Sequence, residues 1–360
     1  MNHPPTTTTG GSLIIGSAAP ARALGAGLST VRYDGNGATS LVSTLPVDHP
    51  SYAAVDPRRA VLHAVLEQEA GRVLSVRIDS GTGFQGRPAT AVSGGSGPCH
   101  LSVHPSGSHV FAAHYGDGVL SVIPTDADGL VSPTGPVHTV RHPGREDSAE
   151  LRDVPHAHMA APSADGRFLL CTDLGTDRVY FYAFDPAAGR PSEHQVVQLP
   201  PGSGPRHLVF HPSGRHVHVL NELSSTLTVC TWEAIRGRLE PTAEFTTRQD
   251  PSAPNANSAA AVRLSSDGRF LYTTNRGDNT IAVHAVRDDG ASVELLTTVA
   301  CGGTWPRDIA LTPDERLLFC ANQGSDTLTA FHRDPSSGNL TPTGEHLAVT
   351  EPAPVLPIGP

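Results

Sequence analysis

The stretch PRHLVFHPSGRHVHVLNELSSTLTVCTW, residues 205–232, decides the fold. An apolar strand runs into the turn Pro-Ser-Gly, a second apolar strand follows, the polar pair Asn221-Glu222 interrupts it, and a third strand ends on Trp232. The plan recurs along the chain. One copy is GPCHLSVHPSGSHVFAAHYGDGVLSVI (97–123) and the next is PHAHMAAPSADGRFLLCTDLGTDRVYFYAF (155–184). Two more follow the central stretch, SAAAVRLSSDGRFLYTTNRGDNTIAVHAV (258–286) and PRDIALTPDERLLFCANQGSDTLTAFH (306–332), and a weaker one, PSYAAVDPRRAVLHAVLEQEAGRVLSVRI (50–78), precedes it.

The turns set the register between copies. Ser106-Gly107, Asp165-Gly166, Ser213-Gly214 and Asp267-Gly268 read as two-residue hairpin loops in which glycine supplies a positive φ. Further turn signals, such as Asp185-Pro186-Ala187-Ala188-Gly189 and Asp334-Pro335-Ser336-Ser337-Gly338, lead to a fourth, more variable strand. Four strands in a unit of about fifty residues is the pattern of a propeller blade, which must stack on neighbours to bury its faces. Both ends look like pieces of a seventh unit. Leu13-Ile14-Ile15-Gly16 has the character of a second strand, and Pro354-Val355-Leu356-Pro357-Ile358 that of a first. The expectation is an all-β, seven-bladed β-propeller over residues 12–360, closed by N- and C-terminal strands sharing one blade, with residues 1–11 as a disordered tail. Such a seam removes the open edges that invite aggregation.

Bulk composition narrows the function classes. The 36 Gly and 32 Pro among 360 residues fit a turn-rich chain, while 38% hydrophobic residues suffice for a core. A net charge of −10 without any Lys/Arg block argues against nucleic acid or an anionic membrane as partner. The expected partner is a small anionic molecule bound locally, with the chain a monomer or weak homodimer. Five scattered cysteines without CxxC spacing argue against a disulfide framework or a zinc site, and a reducing cytoplasm fits them. The first eleven residues lack the features of an export signal.

Inner strands of a propeller line its channel, so equivalent positions form rings. One ring holds Ser51, Cys99, His158, Arg206, Ala260 and Arg307, and the next residue along gives Tyr52, His100, Met159, His207, Ala261 and Asp308. A ring at the end of the second strand holds Leu66-Glu67, His114-Tyr115, Asp173-Leu174, Asn221-Glu222, Asn275-Arg276 and Asn322-Gln323. Its recurrent Asn or Asp reads as a cap for backbone groups. Where the blades differ, they supply His158, Arg206, Glu222 and Arg276. These form an acid/base set with two guanidinium forks, able to activate water and to hold an anion or developing oxyanion. The same residues could instead serve as structural hydrogen bonds and ion pairs. His100, His156, His207, Arg307, Glu67, Tyr115 and Gln323 are the further candidates for substrate contact.

His156-Ala157-His158 puts two side chains on the same face of a strand, but no third ligand can be assigned, so neither metal nor other cofactor is expected. Either histidine could face the channel. His104, His109, His211, His216 and His218 flank turns and read as solvated. Cys99 reads as an inert thiol, and the glycine-rich runs 93–97 and 202–204 as interblade loops.

The motifs PCHL (98–101), PHAH (155–158), GPRHLVFHPSG (204–214), NE (221–222), DGRFLYTTNRG (267–277) and WPRD (305–308) together resemble the lactonase family of seven-bladed propellers. That family includes propeller-type 6-phosphogluconolactonases and fungal 3-carboxymuconate lactonising enzymes. The resemblance implies a lactone hydrolase acting on an anionic sugar-acid lactone, with His158 or Glu222 as general base and Arg206 and Arg276 on the anion or oxyanion. A lactonising cycloisomerase or a specialised cyclase on the same scaffold is the second reading, and a binding propeller without catalysis is the third. Three positions depart from the family pattern: Ala261 stands where an acid is usual, and Leu66 and His114 stand where Asn is usual.

Overall fold

A computed structural model of the chain describes residues 10–358 apart from 24, 57 and 145–153. Its strands form seven four-stranded antiparallel sheets. The first has the spatial order Pro352–Ile358, Gly11–Ser17, Leu28–Tyr33, Thr39–Leu45, and is called blade 1. Blades 2 to 7 occupy residues 52–92, 98–141, 157–198, 205–246, 259–300 and 306–348. In blade 1 the last strand of the chain is innermost, with Leu13 opposite Pro357, Ile14 opposite Leu356 and Ile15 opposite Val355. The ring therefore closes on the seam that the terminal sequences indicate. Of the expected tail, residues 1–9 lie outside the described residues, and Gly11 already belongs to a strand.

The core lies between blades. Among the described residues the buried apolar side chains fall into seven clusters, and each straddles two neighbouring blades around the full circle. Second strands face neighbours on both sides, which is why they read as continuous apolar runs rather than alternating ones. In Phe168–Asp173, Leu169 and Cys171 pack toward blade 3 while Leu170 packs toward blade 5. At the seam, Leu13 and Ile15 face blade 7 and Ile14 faces blade 2. Fourth strands cover less and stay largely polar, as in Arg190–Gln198.

Two expectations are corrected. The hairpins joining first and second strands are longer than two residues: five residues separate Val103 from His109, because Gly107 N–H closes a β-turn on His104 O (2.7 Å) and Ser108 follows it. The glycines do supply the positive φ, at +70°, +72°, +68° and +73° for Gly107, Gly166, Gly214 and Gly268. Nor are the turn histidines solvated. His104, His109, His211 and His218 are buried and His216 is half-buried. The side chains tie one blade to the next: His104 Nε2 donates to Gly166 O (3.1 Å), His211 Nε2 to Gly268 O (3.1 Å) and His218 Nε2 to Gly290 O (2.8 Å). The imidazole is long enough to bridge neighbouring blades, and solvating it would leave those carbonyls unpaired.

No helix among the described residues is long and apolar enough to cross a membrane.

Candidate active site

The start of each inner strand and the end of its antiparallel partner lie at the same end of the ring, so the two polar rings of the sequence meet at one mouth. In blades 3 to 7 the inner strand carries a β-bulge there. Pro205 pairs with Asn221 and His207 with Leu220, leaving Arg206 as the extra residue; His158, Cys99 and Arg307 are extra in the same way in their own blades. A bulge leaves a residue unpaired and re-aims its side chain. This local irregularity is what presents His158, Arg206 and Arg307 at the mouth.

Asp173, Asn275 and Asn322 of the second ring cap backbone groups as expected, whereas Asn221 bonds side-chain hydroxyls. Asn275 Nδ2 donates to Thr247 O (2.7 Å) while its Oδ1 accepts from Thr247 Oγ1 (2.8 Å) and Asn257 Nδ2 (3.0 Å). Asn221 and Asn322 hold the hydroxyls of Thr228 and Thr329, and Asp173 accepts from the backbone of His156 and Thr176. His114 replaces the amide in blade 3, donating from Nδ1 to Val119 O and meeting Ser93 Oγ at Nε2.

The next residue along that ring carries the charges. Glu222 lies between two guanidinium groups, with Oε2 3.0 Å from Arg206 Nε and Oε1 2.8 Å from Arg276 Nη2. Arg206 also donates through Nη1 to Ala260 O, in the blade whose inner strand carries only small residues at this level. Its burial, and then the nearby Arg276, pull its pKa down to about 10, which leaves it charged at neutral pH. Arg276 donates to Ser258 O and Ala259 O at 3.3 and 3.4 Å and stacks 5.2 Å from the Trp305 ring centre. Arg307 and Glu67 form a looser pair at 3.8 Å.

His158 is buried beside these arginines, in edge contact with His207 at 5.4 Å, and its Nδ1 has no hydrogen-bond partner. Burial first, and then the positive field of Arg206, push its pKa well below the ordinary histidine value, so the ring is neutral. His156 turns away from it. That ring stacks on Tyr115 at 4.3 Å and donates from Nδ1 to Tyr115 O (2.6 Å), so His158 is the histidine in contact with the channel rings. The Tyr115 hydroxyl is pushed up to about 12 by burial and by Glu222. Cys99 points its thiol at the carbonyls of Ala157 and His158, and burial raises its pKa, which makes it a poor nucleophile. Gln323 joins the mouth through its backbone, N–H donating to Trp305 O (3.0 Å).

One residue deeper the channel narrows. Tyr52, His100 and His207 from blades 2, 3 and 5 touch one another, with ring centres 4.1, 5.5 and 5.8 Å apart. Burial holds His100 and His207 neutral. Behind them Arg263 pairs with Asp308 at 2.8 Å, so the carboxylate at this depth comes from blade 7 and not from position 261. Arg263 is absent from the sequence-based candidates, although comparing blades two residues past Ala261 sets its charge against Ser102, Ala161, Val209 and Ala310. Trp305 is also absent from them. Among the described residues no group of His, Cys, Asp or Glu is placed to hold a metal ion. The runs 93–97 and 202–204 lie between blades, as expected.

A closed ring of seven four-stranded blades with a charged mouth at one end defines the class. The family model for "Lactonase, 7-bladed beta-propeller" matches residues 12–357, and the chain belongs to that family. It is similar to the 6-phosphogluconolactonase of Bacillus subtilis, 29% identical over 294 residues that cover 81% of this chain and 82% of that protein. Among solved structures it is similar to the periplasmic gluconolactonase of Pseudomonas aeruginosa, with a TM-score of 0.89, 29% identity and coverage of 98% and 99% of the two chains. A protein of Lactobacillus plantarum aligns with a TM-score of 0.88 and 30% identity, over 98% of this chain and all of that one.

Proposed function

We propose that the chain hydrolyses the lactone of an anionic sugar acid at this mouth. The observation that carries the reading is the Arg206–Glu222–Arg276 bridge beside a neutral His158 with an unpartnered Nδ1. Three guanidinium groups face two carboxylates there, so the mouth holds surplus positive charge within a chain of net charge −10. An anion is drawn to that surplus.

The division of labour follows from which atoms are free. Both oxygens of Glu222 are engaged by arginines, so its part is to hold the two forks in place. The general base is His158. A water between the His158 imidazole and the lactone carbonyl carbon adds its oxygen to that carbon and gives a proton to the ring. The carbonyl oxygen becomes an oxyanion, which the forks of Arg206 and Arg276 stabilise. Collapse breaks the bond from the carbonyl carbon to the ring oxygen, and the imidazolium returns its proton to that oxygen. The products are the open hydroxy acid and the resting enzyme. Arg307, only loosely held by Glu67, takes the anionic substituent; His100 and His207 shape the floor, and Tyr115 with His156 forms one wall.

The test follows hydrolysis of 6-phosphogluconolactone by wild type, His158→Ala and Arg206→Ala. Each variant is expected to lose about a hundredfold or more in kcat. Variants as fast as wild type would remove the chemistry from this mouth. Lactone closure uses the same groups in reverse and is followed in the same assay from the open-chain acid. With five free, buried thiols, we place the protein in the cytoplasm, which fractionation of the native host checks.

A further inference from the structure

Trp305 occupies a position that is glycine in blades 3 and 5 and His49, likewise left-handed at φ +50°, in blade 2. It precedes the inner strand of blade 7 as Gly97 and Gly204 precede those of blades 3 and 5, and all three are left-handed, with φ of +59°, +56° and +61°. Their hydrogen bonds match as well. The carbonyl of each accepts from the residue ending the second strand of its blade: Tyr115 to Gly97, Glu222 to Gly204, Gln323 to Trp305. Trp305 N–H donates to Asn279 Oδ1 (2.8 Å) where Gly204 N–H donates to Asp177 Oδ1 (2.7 Å).

A β-carbon in this conformation is strained, and a bulky residue there is an outlier. Burial does not compensate: Trp305 keeps 43% of its surface exposed, against 6% for Trp232 in the core. The surroundings are cut to admit it. In blade 5, Leu223 fills the space that a β-carbon on Gly204 would need, at 2.4 Å. In blade 7 the residue facing Trp305 is Gly324, where an added β-carbon would come within 3.0 Å of the Trp305 β-carbon. The large residue and the glycine have changed places. The indole so admitted lies over Arg276, a residue of the bridge, and so borders the mouth.

We infer that Trp305 is a substrate-binding platform, on which the C–H face of a sugar-derived lactone ring rests while its carbonyl meets the arginine forks. The inference rests on the hydrolase reading and narrows its substrate class to cyclic esters with an extended C–H face, which an aromatic ring recognises by stacking. His156 holds the corresponding position in blade 4, where it stacks on Tyr115, so the mouth has a flat aromatic group on two sides.

The test uses Trp305→Gly and Trp305→Phe in the full-length protein. Glycine takes this conformation without strain and does so in blades 3 and 5, so Trp305→Gly is expected to melt within a few degrees of wild type. Its KM for 6-phosphogluconolactone is expected to rise about fivefold or more, with kcat changed less than twofold, and Trp305→Phe to restore most of the loss. Only two tryptophans are present. Titration with gluconolactam, a stable ring analogue, should therefore change the emission of wild type and not of Trp305→Phe. An unchanged KM in a folded Trp305→Gly, with wild type active, overturns the platform and leaves the hydrolase standing. If wild type has no activity, the hydrolase falls, and the lactam titration decides the platform: a Trp305-dependent change keeps it, and no change removes it.

Discussion

At the scale of single residues, the site works through what is engaged and what is left free. Glu222 sits between two buried guanidinium groups, and removing its charge leaves them facing each other without compensation. Glu222→Gln should therefore destabilise the fold by about 3 kcal/mol, measured by urea unfolding, because breaking a buried ion pair costs more than the pair contributes. A change below about 1 kcal/mol would mean that the arginines find other partners. His158 has the opposite character, a neutral ring with an idle nitrogen. Since its pKa lies well below the usual value, it keeps its basic form as acidity rises through the ordinary histidine range. The expected kcat/KM is flat from about pH 8 to about pH 6, and a fall centred near 6.5 would assign the base to an exposed, ordinary histidine. These four residues were legible because blades repeat: equivalent positions whose chemistry differs from blade to blade mark where symmetry breaks. Two things were not legible. Which of His156 and His158 meets the channel depends on a bulge that strand alternation does not reveal, and Trp305 hides inside a motif whose left-handed backbone only the structure displays.

At the scale of elements, the second strand of each blade is both the packing unit and the scaffold of the mouth. In blades 4 to 7 its continuous apolar run ends in an amide or carboxylate, and Asn275 ties the preceding interblade loop to the sheet through three hydrogen bonds. Asn275→Ala leaves Thr247 O and the side chains of Thr247 and Asn257 without these partners. A loss of about 3 kcal/mol in unfolding free energy is expected, with Arg276, the adjacent residue, less well fixed and KM raised. Stability within about 1 kcal/mol of wild type would show the cap to be dispensable. The sequence carried these caps openly, as a repeated Asn or Asp. The hairpins were harder: glycine marked the turn, but its length depended on a backbone hydrogen bond from Gly107 to His104 that composition does not specify. The turn histidines were misread for a related reason, since a polar residue beside a surface turn becomes buried once the next blade closes over it.

At the scale of the molecule, the ring brings together histidines that no single blade would bury. His63 and His218 are held down to about 4 and His284 to about 3 by burial, with His100, His158 and His207 also lowered. Between these values and 6.5 the unfolded chain binds protons that the folded chain does not, so stability rises with pH across that window and is lost on acidification. Each such group contributes about 1.4 kcal/mol per pH unit, and the melting temperature should fall steeply from about pH 6.5 to about pH 5. A constant melting temperature there would mean that these rings are protonated within the fold. The seam was readable because Leu13–Gly16 and Pro354–Ile358 are each incomplete alone, and the same closure fixes the mouth that gathers residues from blades 2 to 7. The claim that this mouth opens an anionic lactone is tested most directly by proton release at about pH 7 from 6-phosphogluconolactone and from gluconolactone, each corrected for spontaneous opening. Catalysis of both, with kcat/KM about tenfold or more higher for the phosphorylated lactone, is the expected result. Release no faster than in buffer, or a preference for the uncharged lactone, would contradict it.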